Sequence, residues 1–200
     1  MSFPLHPHEC AIACSLTRDP IVIADVIALA STPDAGATSV FIGSSRANTR
    51  TSERAVRELV YEAYDEMAMK EFNAIARDVA SKFPAQLDAS GGVKREGVVK
   101  IALTHRLGRV RAGEASVACA VSSGHRADAI RACEEVVEMM KHRAPIWKKE
   151  VYEPVEGEEE EDAKDEGETR EERATPDRDS KWMANDCAFN VDIGVSSELK

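Results

Sequence analysis

The stretch S-E-R-A-V-R-E-L-V-Y-E-A-Y-D-E-M-A-M-K-E-F-N-A-I-A-R-D-V-A, Ser52 to Ala80, admits two readings, and the fold turns on which one holds. Its Ala, Glu, Met, Arg and Lys content reads as one long helix by propensity. Equally, Ala55 to Tyr61 reads as a strand rich in Val, Leu and Tyr, followed by a helix from about Asp65 to Lys82. The residues alone leave both open.

On either side the pattern is firmer. Cys10 to Leu16 reads as a short strand, and Asp19-Pro20 offers an N-cap and a first-turn proline for a helix through Ala30. Thr32 to Gly36 is a turn, and the β-rich A-T-S-V-F-I-G, Ala37 to Gly43, is a strand ending in glycine. Downstream, Pro84 to Gly97 has the Gly, Pro and Ser content of a surface loop, and it lacks the G-K-[ST] ending of a phosphate loop. Strands are expected at Val98 to Thr104 and Ala115 to Ser122. A helix then follows, with Ile130, Cys133, Val137 and Met140 on one buried face. Pro145 has no amide hydrogen and biases Ala144 away from helical angles, so this helix should stop near Arg143. The sum is a single α/β or α+β domain without internal repeats.

The chain has 200 residues and a formal net charge of −10. Twelve acidic residues face two basic ones between Glu153 and Glu172, so that run alone accounts for the imbalance. It lacks aliphatic periodicity and reads as a solvated linker, with an acidic docking segment as the alternative. Five cysteines (Cys10, Cys14, Cys119, Cys133 and Cys187) form no C-x-x-C pair, so neither a disulfide framework nor a zinc knuckle is indicated. They read as small buried hydrophobes. The opening M-S-F-P-L-H-P-H-E-C is neither a secretory leader nor an Arg-rich transit peptide, and no apolar stretch is long enough to span a bilayer. A cytosolic protein with no membrane or nucleic-acid partner is the expectation. No G-x-S-x-G elbow or H-E-x-x-H metal motif is present, and no metal or cofactor is expected.

What recurs is cationic side chains at the ends of elements. K-H-R-A-P-I-W-K-K, Lys141 to Lys149, puts lysines on both sides of a rigid turn, where Ile146 and Trp147 read as packing anchors. Lys141 and Lys148 could converge on one anion, or Lys141 could simply complement the helix C-terminus. S-S-G-H-R, Ser122 to Arg126, lies where a strand gives way to a helix N-terminus, a position suited to anions, with Ser123 as a plain cap the alternative. In G-S-S-R-A-N-T-R, Gly43 to Arg50, Arg46 could fork onto a phosphate or face water. His105 and Arg106 of T-H-R-L-G read as strand-end structure or an interface.

F-I-G-S-S-R-A-N, H-R-L-G, S-S-G-H-R and K-H-R-A-P-I-W-K-K-E, in that order and at these intervals, resemble the catalytic large subunit of molybdopterin synthase, the MoaE family. W-M-A-N-D-C-A-F, Trp182 to Phe189, is similar to the C-terminal segment of eukaryotic members. The resemblance implies an α/β hammerhead fold with an additional α+β subdomain, and it favours the strand-then-helix reading of Ser52 to Ala80. It implies a catalytic domain over 1–153, an acidic insertion over 154–180 and a returning C-terminal segment over 181–200. The implied activity is sulfur transfer to cyclic pyranopterin monophosphate, from the Gly-Gly thiocarboxylate of a small ubiquitin-like carrier. The implied assembly is a dimer that becomes a heterotetramer. By position, Lys141 and Lys148 match the catalytic lysines, while Arg46, His125, Arg126, Lys149 and Glu150 join them in contacting substrate. Ser44 and Ser45 depart from the Lys-Val of many bacterial members. A catalytically silent module for a ubiquitin-like tail is the main alternative; a phosphate-ester-binding regulatory domain would need only Arg46 and Arg126.

Overall fold

The computed structural model describes residues 10–47, 55–87, 89, 93–95, 97–153 and 180–184, with backbone alone at 86–87, 93–95 and 180–184. Glu156 to Glu172 of the acidic run, Gly91, Gly92 and Cys187 lie outside the described residues. The ambiguous stretch is a strand and then a helix: β3 spans Val56–Ala63 and α2 spans Asp65–Lys82. Ala68, Phe72, Ile75, Ala76 and Val79 are buried at helical spacing, so α2 follows its pattern. β3 is a strand against its helix-forming composition because it is hydrogen-bonded on both edges, to β7 (Gly108–Arg111) and to β9 (Ile146–Tyr152). Tertiary pairing overrides local propensity there.

Two four-stranded sheets organise the domain. The first has the order β1-β6-β8-β2, built from β1 (Ala11–Thr17), β6 (Val98–Arg106), β8 (Ala115–Ser123) and β2 (Ala37–Ser44). β1 runs parallel to β6, and the other pairs are antiparallel. Side chains alternate along β6 and β8. Ile101, Leu103, Cys119 and Val121 face the large cluster shared with α2 and with α3 (Arg126–Arg143). Ala102, Ala118 and Ala120 face α1 (Ile23–Ala30), where small side chains let Val26 and Ala30 pack closely. Phe72 and Ile75 are fully buried, and truncating such a phenylalanine to alanine costs about 3–5 kcal/mol.

The second sheet has the order β10-β9-β3-β7, with β10 at Ser180–Ala184. β10 pairs antiparallel with β9, Trp182 opposite Lys149, so the chain rejoins the domain beyond the acidic run. Among the described residues, two four-stranded sheets and three helices make a mixed α+β fold, as the resemblance implies.

Several details depart from the sequence reading. α1 begins at Ile23, not behind an Asp19 cap, and Val22 at its N-cap supplies no side-chain bond. The expected loop after α2 contains a short antiparallel pair, β4 (Gln86–Leu87) and β5 (Val93–Arg95). Ile130 is 57% exposed; the buried face of α3 rests instead on Ala129, Ala132, Cys133, Val136, Val137 and Met140. Trp147 is exposed while Ile146 is buried, so only one of the two anchors the turn. Cys119 and Cys133 are buried, but Cys10 and Cys14 only partly so.

Candidate active site

α3 carries the cationic groups at both its ends. At its start the N-cap is His125, not Ser123: the ring Nδ1 accepts from the Ala127 amide at 3.4 Å. Accepting there leaves the ring proton of a neutral His125 on Nε2. Ser123 instead donates to the Gly97 carbonyl at 2.8 Å. Both His125 and Arg126 are exposed. A Cβ on Gly36 would meet the Gly124 carbonyl oxygen at 2.8 Å, so glycine is what lets the start of β2 lie against the start of α3.

The end of α3 is built differently. Lys141, His142 and Arg143 fill its last turn, Ala144 adopts extended angles ahead of Pro145, and its amide bonds to Met140 O. Arg143 ties α3 to α2 through Glu71 at 2.5 Å and Asp78 at 2.7 Å. Lys141 is only 18% exposed; its Nζ lies 5.9 Å from the Phe41 ring centroid and 3.4 Å from Glu138 Oε1. It closes a groove of about 610 Å³ between α3 and β2, lined also by Ser39, Phe41, Cys133, Val137 and Glu138. In the first sheet, β2 is an outer strand.

Beyond the turn, β9 alternates. Ile146 and Glu150 are buried, which places Lys148 on their face, while Trp147 and Lys149 take the other. Lys148 and Lys149, adjacent in the motif, therefore point to opposite sides of the sheet. Glu150 is 3% exposed and accepts from the Tyr152 hydroxyl at 2.7 Å. Lys148 stands opposite Tyr61 in register, and Tyr61 packs edge-on against His105 with ring centroids 5.0 Å apart. Burial pushes the His105 imidazole down to about 4, which keeps it neutral and structural, as a strand-end role requires.

Arg46 is exposed on the turn that leaves β2. That turn is held by Ser45 N to Glu114 O at 3.0 Å, Gly113 N to Ser45 O at 2.8 Å and Val56 N to Ala47 O at 2.6 Å. The Ser45 hydroxyl beside it is buried and has no hydrogen-bond partner among the described residues.

One chain does not bring all these groups together. Ala37, at the start of β2, pairs with Ser123 beside His125, whereas Arg46 follows the other end. Eight residues of strand span roughly 26 Å. Arg126 and Lys141 are separated by most of α3, roughly 22 Å at 1.5 Å per residue. Neither gap is closed by side-chain reach. Sequence reasoning also passed over Phe41 and Glu138. Glu138 was legible as the residue three before Lys141 on a helix; Phe41 was hidden because strand order decides what it meets.

Leu16 to Arg143 match the model of the family described as MoaE protein. A molybdopterin synthase catalytic subunit of Drosophila erecta is 42% identical over 138 residues, 69% of this chain and 34% of the relative. The chain thus spans about a third of the length of the fruit-fly relatives it matches. The Aspergillus oryzae molybdopterin synthase catalytic subunit is 40% identical over 141 residues, 70% of each chain. Among solved structures, molybdopterin synthase from Staphylococcus aureus superposes with a TM-score of 0.62 at 28% identity, over 84% of this chain and 94% of that one. A chain from the complex of subunits 1 and 2 of the Helicobacter pylori molybdopterin-converting factor shares the fold, with a TM-score of 0.53 at 21% identity, over 74% of this chain and 91% of that one.

Proposed function

The chain belongs to the MoaE protein family, and from that premise we propose that it is the catalytic subunit of a molybdopterin synthase. It takes sulfur from the thiocarboxylated Gly-Gly end of a small ubiquitin-like carrier and delivers it to cyclic pyranopterin monophosphate, forming the dithiolene of molybdopterin. The observation that carries this reading is the groove closed by Lys141, whose ammonium nitrogen lies 5.9 Å over the Phe41 ring and whose side chain is 18% exposed. A partly desolvated cation at the end of an apolar groove suits an extended tail with an anionic terminus. Two glycines offer no side chain to obstruct such an approach.

Both reactants are anions, so cations must stand between them for sulfur to approach the pterin. Lys141 meets the thiocarboxylate. Lys148, across the Pro145 turn, handles the pterin side, its β9 held by pairing with β3 on one edge and β10 on the other. At each of two side-chain carbons in turn the sulfur bonds to carbon as that carbon's oxygen leaves. It leaves as the phosphate oxygen at one, which opens the cyclic phosphate, and as water at the other. A water then cleaves the resulting acyl C–S bond, and the carrier is left with a carboxylate. Arg46, exposed on the turn that leaves β2, is the group proposed to receive phosphate oxygens.

The distances along α3 and β2 favour a site shared by two copies. We propose a homodimer in which His125 and Arg126 of one copy complete the pocket that holds Lys141, Lys148 and Arg46 of the other. With a carrier at each pocket the assembly is a heterotetramer, and the cytosol is its proposed location. Incubating the purified chain with thiocarboxylated carrier and cyclic pyranopterin monophosphate should yield molybdopterin. Carrier binding without product would favour the silent tail-binding module.

A further inference from the structure

Lys141 has a partner of the same charge type as the tail it is proposed to receive. Glu138 Oε1 lies 3.4 Å from its Nζ, and Glu138 Oε2 lies 3.9 Å from His142 Nε2. Glu138 lines the groove and is 44% exposed, while Lys141 is 18% exposed. A helical pair at that exposure adds little to stability. Its charge still matters, because an ammonium drawn into a groove beside an aromatic ring needs a nearby anion.

From this geometry we infer that Glu138 is an internal stand-in for the carrier's terminal anion, holding Lys141 while the groove is empty and reclaiming it when the spent tail leaves. The inference rests on the reading that the tail enters this groove. When the thiocarboxylate arrives, Lys141 turns to it and Glu138 keeps His142 as its neighbour. After sulfur has moved, the tail ends in a carboxylate, a hard anion that a lysine holds longer when no neighbouring carboxylate competes for it. Glu138 offers the ammonium an equivalent carboxylate and lowers the cost of departure. Glu138 is thus a product-release residue; the sulfur-transfer steps themselves do not pass through it.

The test uses Glu138→Gln, which keeps size and helix preference and removes the charge. Binding of the carrier with its unmodified Gly-Gly carboxylate is measured by equilibrium titration and by dissociation rate, and single-turnover is compared with multiple-turnover product formation. The variant should bind the spent carrier about three- to tenfold more tightly, mainly through slower dissociation. Its multiple-turnover rate should fall while its single-turnover rate is kept. In a Lys141→Ala background the substitution should have no such effect. Unchanged or weaker binding by Glu138→Gln would overturn the inference, because Glu138 would then merely orient Lys141. So would equal tightening by Glu134→Gln, which removes a charge from the same groove a turn earlier. Failure of the parent protein to bind any carrier would instead remove the underlying reading, and the stand-in role with it.

Discussion

The two ends of α3 carry similar cations in opposite surroundings. At the N-terminal end His125 and Arg126 stand in water, whereas at the C-terminal end Lys141 is folded against Phe41 in a groove. An exposed cation interacts weakly because water screens it, and a partly desolvated one interacts several times more strongly. On the proposed function, the C-terminal end can act as half of a site as it stands, and the N-terminal end joins it only when another surface excludes water; a second copy of the chain is the surface proposed to do so.

The largest expected effect lies at the groove end. Lys141→Ala should lower molybdopterin formation by about a thousandfold, the loss typical of removing a fixed charge from a reacting centre, with the dimer intact by sedimentation. Near-parental turnover would break the comparison, since the partly buried end would then matter no more than the exposed one.

Behind Lys148, the buried His105 gives a second way to sharpen it. Above pH 6.5 both folded and unfolded states hold this imidazole neutral, and it contributes nothing to pH dependence. As pH falls from 6.5 toward 4 the unfolded chain takes up a proton that the folded one resists, so stability is lost on acidification. By pH 4.5 the loss from this group should be about 2–3 kcal/mol. His105→Phe, which keeps a ring against Tyr61, should remove that part of the pH dependence in denaturant titrations. An unchanged slope between pH 4.5 and 7 would show that the Tyr61–His105 packing opens to water and does not support the strand beside Lys148.

The smallest expected effect concerns the acidic run. Deleting Glu156 to Glu172 should leave turnover and carrier affinity within about twofold, as a charge run without aliphatic periodicity contributes little to a packed site. A clear loss of carrier binding would move part of the recognition away from both ends of α3.

Much of this fold was legible in the sequence because apolar runs, helical spacing and proline act locally. β6 and β8 follow from apolar runs buried on both faces, α2 from its helical spacing and the stop of α3 from Pro145. β3 was not legible from its own residues, since Val56 to Ala63 are a strand only because β7 and β9 take up their backbone groups on both edges. The Asp19-Pro20 signal failed because a capping pair indicates where a helix could start, while α1 starts where Val26 and Ala30 can reach the alanines of β6 and β8. For the site, residue type was legible and placement was not. Adjacent Lys148 and Lys149 diverge because a strand alternates, and Arg46 and His125 lie at opposite ends of one strand that their sequence order does not reveal.

The shared pocket can be tested by mixing two impaired chains. One carries Lys141→Ala; the other carries His125→Ala with Arg126→Ala. If the pocket is built across two copies, each mixed dimer has one doubly altered pocket and one intact pocket. Co-expressed chains that pair at random should then recover about a quarter of parental molybdopterin formation, because half the dimers regain one of two pockets. If each copy builds its own pocket, every pocket retains a defect, and activity no higher than that of the separate variants would contradict the account.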